Sequence, residues 1–302
     1  MASLTHPPSD VQFLGVDSED GYRRTLVCYA APDGEPIEAF FFQPAGSEQR
    51  GAILALHQHN SQWKIGKREI AGLVGDPFQA FGPTLARRGV TVLAPDSIGF
   101  ESRMRNTGWG TPLAPLLKKP HSTVEGWLQY YNQMAHRLVT GDLLIRKILE
   151  DSAAGLSVLQ SLTKSDTLGV IGHSFGGSTA LFLAALDTRV DYCCASGSVC
   201  SYRRKLADQT ALEGSLIIPG FARHFDFDDL LRCVAPRRIL VVSANTDPNS
   251  ADAEELVHNA LPTFGEMNCV NHLQHLRVSG GHTLDQERFH AIVDWMVSQV
   301  SG

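Results

Sequence analysis

The chain has 302 residues, 43% of them hydrophobic, with 26 Lys and Arg against 32 Asp and Glu for a formal charge of −6. That length is ample for a large buried core. Mild acidity without a basic cluster argues against a nucleic-acid partner, and no apolar run reaches the length of a membrane span.

Residues 1–20 read as an extended N-terminal arm, and Met1 to Pro8 lacks the apolar stretch of a secretion signal. A cytoplasmic protein is expected. Apart from Cys193 and Cys194 the cysteines are scattered, so they read as free or buried thiols. Residues 22–30 and 36–43 alternate as two antiparallel strands, with Pro32-Asp33-Gly34 as the turn. From Gly51 onward the pattern becomes strand, helix, strand. Short apolar strands are predicted at 52–56, 90–94, 168–171, 190–195, 239–243 and 273–279. Their alternation with helical segments implies an α/β fold, with a mostly parallel central sheet and helices on both faces. Residues 1–302 are expected to form a single domain.

Two intervals interrupt the rhythm. Residues 101–137 carry Trp109, Trp127, Tyr130 and Tyr131, and residues 200–233 carry Phe221, Phe225 and Phe227. Long interruptions at strand C-terminal ends form lids or pocket walls. The competing reading is that these aromatics pack the insertions onto the core. Lys64, Lys67, Arg103 and Arg105 near the expected mouth either meet a substrate carboxylate or are solvated surface.

The strand at 168–171 runs into Gly172-His173-Ser174-Phe175-Gly176, followed by an apolar helical segment. Strand, tight turn and helix with serine at the apex is the layout of a nucleophile elbow. It raises Oγ above the sheet edge beside a helix N-terminus, where negative charge is favoured. Two partners follow in chain order. Asp247 lies just past the strand at 239–243, with Asp252 as a rival in the same loop. His282 follows the last strand, before a predicted capping box of Thr283 and Gln286 and a final helix. In open α/β sheets, catalytic groups gather at the strand C-terminal ends. A serine hydroxyl needs a base at neutral pH. His282 can take its proton, and Asp247 can hold the imidazole tautomer and stabilise its charged form.

An oxyanion needs two donors. One is the Phe175 N–H. The other belongs to the loop after the strand at 52–56, His57-Gln58-His59-Asn60, and is assigned to His59, with Gln58 second. His57 and His59 also fit a metal reading, but no further ligands complete it, and His272 and His275 match no usual spacing. No metal and no cofactor are expected, and His57 reads as a brace for its loop. The pocket is expected to draw on Gln58, Trp63, Phe100, Trp109 and Trp127.

The chain resembles the α/β-hydrolase superfamily, and within it the dienelactone-hydrolase-like and acetyl-esterase branch. The resemblance is carried by Leu56-His57-Gln58-His59-Asn60, Ala94 to Phe100, Gly172 to Gly177, Ala235 to Ser243 and Gly281-His282. It implies hydrolysis of a small or medium ester by Ser174, Asp247 and His282. Two departures matter. Dienelactone hydrolases carry a cysteine nucleophile where this chain has Ser174, and Gln58 replaces the glycine usual in the oxyanion loop. The same triad can also serve a thioester, lactone, amide or carbon–carbon bond, and a non-catalytic binding protein on this scaffold is the remaining alternative. The expected partner is a small-molecule ester, and a homo-oligomer is allowed.

Overall fold

The computed structural model describes residues 10–46, 50–104 and 123–300; Trp109 and Arg105 lie outside them. The first elements are β1 (Gln12–Glu19), β2 (Tyr22–Ala30), β3 (Pro36–Pro44), β4 (Ala52–Leu56), α1 (Lys67–Ile70), α2 (Phe81–Arg87) and β5 (Thr91–Pro95). Next come α3 (Thr123–Val139), α4 (Leu144–Thr163), β6 (Leu168–His173), α5 (Phe175–Leu186), β7 (Tyr192–Ser196) and α6 (Tyr202–Ala207). The chain continues through α7 (Phe227–Val234), β8 (Arg238–Ala244), α8 (Ala253–Glu266), β9 (Leu273–Val278) and α9 (Gln286–Ser298).

The strands form one sheet in the order β1-β2-β3-β5-β4-β6-β7-β8-β9. Its first strands pair antiparallel, and from β5 to β9 every pairing is parallel. Side-chain alternation explains the two-sided core. Leu54, Val170, Ile239 and Val241 face one layer with α4, α5, α7 and α8. Ile53, Ile171, Leu240 and Val242 face the other, with α2 and α9. Both faces of the parallel strands are buried, so their sequences read as continuous apolar runs. β4 lies between β5 and β6, so the chain leaves it to one side and later returns on the other. Such a switch point opens a crevice at the strand C-terminal ends.

The N-terminal arm differs from expectation. Residues 12–19 form an edge strand paired with β2. Every residue of β1 is exposed, so no buried face imposes the alternation that would betray a strand. The last helix also starts differently: its N-cap is Asp285, whose side chain accepts from Arg288 N at 2.8 Å. Thr283 lies in the preceding loop, and the capping box predicted there does not form, because Asp285 already satisfies the third helical amide.

Candidate active site

Ser174 joins β6 to α5 with φ 55° and ψ −121°, a region where a non-glycine residue is strained and tends to mark a functional position. The surrounding glycines are steric necessities. A Cβ on Gly172 would stand 2.2 Å from the Gly176 carbonyl, and one on Gly176 would stand 2.2 Å from Leu56 O. The Ser174 N–H donates to Ser196 O at 2.8 Å, tying the turn to the end of β7.

The structure brings the three sequence-derived residues together. His282 Nε2 lies 2.7 Å from Ser174 Oγ, and its Nδ1 lies 3.0 Å from Asp247 Oδ1. Asp247 is buried in the turn after β8 and accepts further bonds from Asn249 N and Ser250 Oγ, both at 2.9 Å. Burial acts to raise its carboxyl, but His282 and these donors outweigh it, and the net shift is downward. Asp252 is elsewhere. It accepts from Ser201 N at 3.0 Å and Ser201 Oγ at 2.5 Å, joining the start of α8 to the N-cap of α6.

Two supporting residues were not singled out from sequence. Arg288 is almost wholly buried, and its guanidinium donates to the carbonyls of Gly281, His282 and Thr283 at 3.2–3.4 Å, fixing the histidine loop. Its signal was a charge on the otherwise apolar face of α9. His173 packs its ring 4.9 Å from that of His282, with Nδ1 3.0 Å from Ser196 Oγ. Burial, with smaller contributions from the neighbouring His282 and Arg288, pushes its pKa down to about 3, so it is a neutral platform behind the histidine.

The loop after β4 passes close to the elbow. His57 Nδ1 lies 2.8 Å from Gln58 O and its Nε2 3.1 Å from Ser97 N. Those partners require a proton on Nδ1 and a lone pair on Nε2, so His57 braces the loop as a neutral ring, and burial lowers its pKa. His59 Nδ1 accepts from Ser61 N at 3.0 Å, which leaves the proton on Nε2, and burial brings its pKa down to about 4. Both histidines thus commit a ring nitrogen to the loop backbone. Among the described residues no group of three or more His, Cys, Asp or Glu side chains is placed to hold a metal ion.

A cavity of about 550 Å³ opens on Ser174. Its wall includes His59, Trp63 and Phe175, then Trp127, Tyr130 and Tyr131 from α3, and residues 211–214, 216 and 217 beyond α6. Two expected pocket residues are not in that wall. Gln58 turns away to donate to the buried Glu69 carboxylate at 2.8 Å. Phe100 is fully buried behind the wall, 5.2 Å from the Trp63 ring and 5.7 Å from that of Phe175. The aromatics of the second interval divide differently. Phe227 is core, Phe221 packs against Phe182 and Tyr202, and Phe225 is exposed. None of the three lines the cavity.

Two of the four expected cations are engaged elsewhere. Lys67 pairs with Asp96 at 2.7 Å, Glu101 at 2.9 Å and Glu38 at 3.0 Å. Arg103 pairs with Asp151 at 2.7 Å and Glu35 at 3.2 Å. Lys64 is exposed and outside the cavity wall. These ion pairs tie the segment after β5 to α1 and to α4. All six cysteines are free thiols, and no described helix is long and apolar enough to cross a membrane.

Sheet order, flanking helices and elbow define the α/β-hydrolase fold. The structure is similar to a glucuronoyl esterase from Solibacter usitatus, with TM-score 0.67 and 16% identity, covering 98% of this chain and 87% of that one. It is also similar to acetyl xylan esterase 1 of Thermoanaerobacterium sp. JW/SL YS485, with TM-score 0.61 and 17% identity, covering 99% and 89%. These structures are esterases, as the branch resembled by the sequence is. In sequence the chain is 28% identical over 209 residues to YtaP of Bacillus subtilis (strain 168), whose name assigns it provisionally to the hydrolases. That match covers 67% of this chain and 62% of the length of the curated relative. No family model matches the chain.

Proposed function

We propose that this chain is a serine hydrolase that cleaves small or medium carboxylic esters without a cofactor. The observation that carries the reading is the unbroken hydrogen-bonded chain from Ser174 through His282 to Asp247, with Ser174 lining a cavity. His282 Nε2 accepts the Ser174 proton as Oγ attacks the ester carbonyl, and the resulting imidazolium is stabilised by Asp247. The tetrahedral oxyanion is received by the Phe175 N–H at the start of α5 and by the His59 N–H. Such preorganised donors commonly make the largest single contribution. His282 then protonates the leaving alcohol, and the C–O bond breaks to give an acyl-enzyme. Water, deprotonated by His282, attacks that acyl group and regenerates Ser174.

A cavity of about 550 Å³ falls in the ordinary range for small-molecule sites and suits a compact ester. Trp127, Tyr130 and Tyr131 bound it on the α3 side. Each methylene that fails to fit costs roughly 10- to 200-fold at most in discrimination. Rates are therefore expected to fall stepwise once the acyl chain exceeds about six carbons. Turnover of acetyl, butyryl, octanoyl and palmitoyl esters of one alcohol measures this, and a maximum at octanoyl or beyond would refute the compact-pocket reading.

A further inference from the structure

Four other buried cations pair with carboxylates, Lys67 with three and Arg24, Arg103 and Lys147 with two each, while buried Arg288 spends its guanidinium on backbone carbonyls. Lys205 of α6 is different. It is 4% exposed and lines the cavity that opens on Ser174. Its Nζ donates to Asn249 Oδ1 at 3.0 Å, and among the described residues it pairs with no carboxylate. An ammonium withdrawn from water without a counter-ion is unfavourable unless an anion is supplied.

Lysine only donates, so Asn249 must turn Oδ1 toward it, which leaves the Asn249 amide N–H₂ as a donor. Asn249 lines the same cavity. So does Ser198, which is 4% exposed and whose Oγ has no hydrogen-bond partner among the described residues. Glu213, the acidic residue among the described residues of the wall, is already engaged. It accepts from Tyr130 OH at 2.5 Å, from Ser215 N at 3.0 Å and from Ser215 Oγ.

We propose that the substrate is an ester carrying a carboxylate away from the scissile bond, and that Lys205, with Asn249 and Ser198, receives that carboxylate. The inference rests on the ester-hydrolase reading above. One ammonium and two neutral donors match a monoanion. A phosphate dianion would leave charge uncompensated near Glu213. Lys205 thus sets specificity, while the bond-breaking groups remain those around Ser174.

The test uses two isosteric pairs, each replacing a carboxylate by an isopropyl group. Monomethyl glutarate against methyl 5-methylhexanoate puts the charge on the acyl side. 4-Acetoxybutanoate against 4-methylpentyl acetate puts it on the alcohol side. In the wild type, kcat/KM for the charged member of at least one pair is expected to exceed its partner's by about tenfold or more, the scale of one desolvated charge-assisted contact. In Lys205→Met that ratio falls to one or below. Lys205→Gln, which keeps a donor to Asn249 but not the charge, serves if the methionine variant does not fold. No preference in either pair, or a preference that survives loss of the charge, would overturn the proposal while leaving the ester-hydrolase reading intact. If all four esters are inert, that reading fails, and calorimetry with glutarate decides this one: binding to wild type lost in Lys205→Met supports it, and equal or absent binding overturns it.

Discussion

Ser174→Ala is expected to lower kcat/KM for a short acyl ester by at least about three orders of magnitude. The substitution removes the single oxygen that His282 Nε2 reaches at 2.7 Å. It leaves the elbow otherwise in place, because the turn is held by Gly172, by Gly176 and by the Ser174 N–H bond to Ser196 O. Alanine also tolerates the backbone about as well as serine does. Only one partly buried hydrogen bond is lost, worth about 0.5–1.5 kcal/mol of stability at most. Steady-state kinetics alongside thermal unfolding separates the two effects. Turnover within tenfold of the wild type would remove Ser174 from the nucleophile's role.

Asp247→Asn is expected to cost on the order of a thousandfold or more in kcat, and Asp252→Asn far less. The carboxylate at 247 accepts a hydrogen bond from Nδ1–H and so leaves the Nε2 lone pair facing Ser174. An amide there can donate to Nδ1 instead, which moves the imidazole proton to Nε2, where it can no longer accept from the serine. It also cannot stabilise the imidazolium as a carboxylate does. Asp252 is bonded to Ser201 and has no contact with His282. Its amide variant loses one charge-assisted bond, a stability cost of about 1–3 kcal/mol, and retains the catalytic geometry. Parallel kinetics and melting curves of the two variants check the assignment, and a larger kinetic loss at 252 would transfer the acid role there.

What was legible in the sequence follows from where packing leaves a periodic trace. Strands β4 to β8 are buried on both faces, so their apolar runs are bounded by turn residues and could be placed to within about two residues. Ser174, Asp247 and His282 were legible because the fold sets each at a strand end, a position readable from chain order. β1 was not, since an edge strand exposed on both faces carries no burial pattern. Gln58 was assigned to the pocket by its place in the loop, but the buried Glu69 carboxylate, supplied by α1, draws its side chain away. Lys205 was invisible for a related reason. Nothing in Tyr202-Arg203-Arg204-Lys205 distinguishes one cation from the next; only tertiary packing leaves Arg203 and Arg204 exposed and takes Lys205 into the cavity wall.

The central claim, that Ser174 is a nucleophile activated by His282, is tested most directly by covalent labelling. An activated serine attacks a fluorophosphonate at phosphorus, expels fluoride and keeps the phosphonyl group, whereas ordinary serines stay unmodified. The measurement is the mass of the intact protein after exposure to the reagent, followed by peptide mapping, for the wild type and for His282→Ala. A single adduct on Ser174 in the wild type, strongly slowed in His282→Ala, is the predicted result. No adduct on Ser174, or one formed equally fast without His282, would contradict the account.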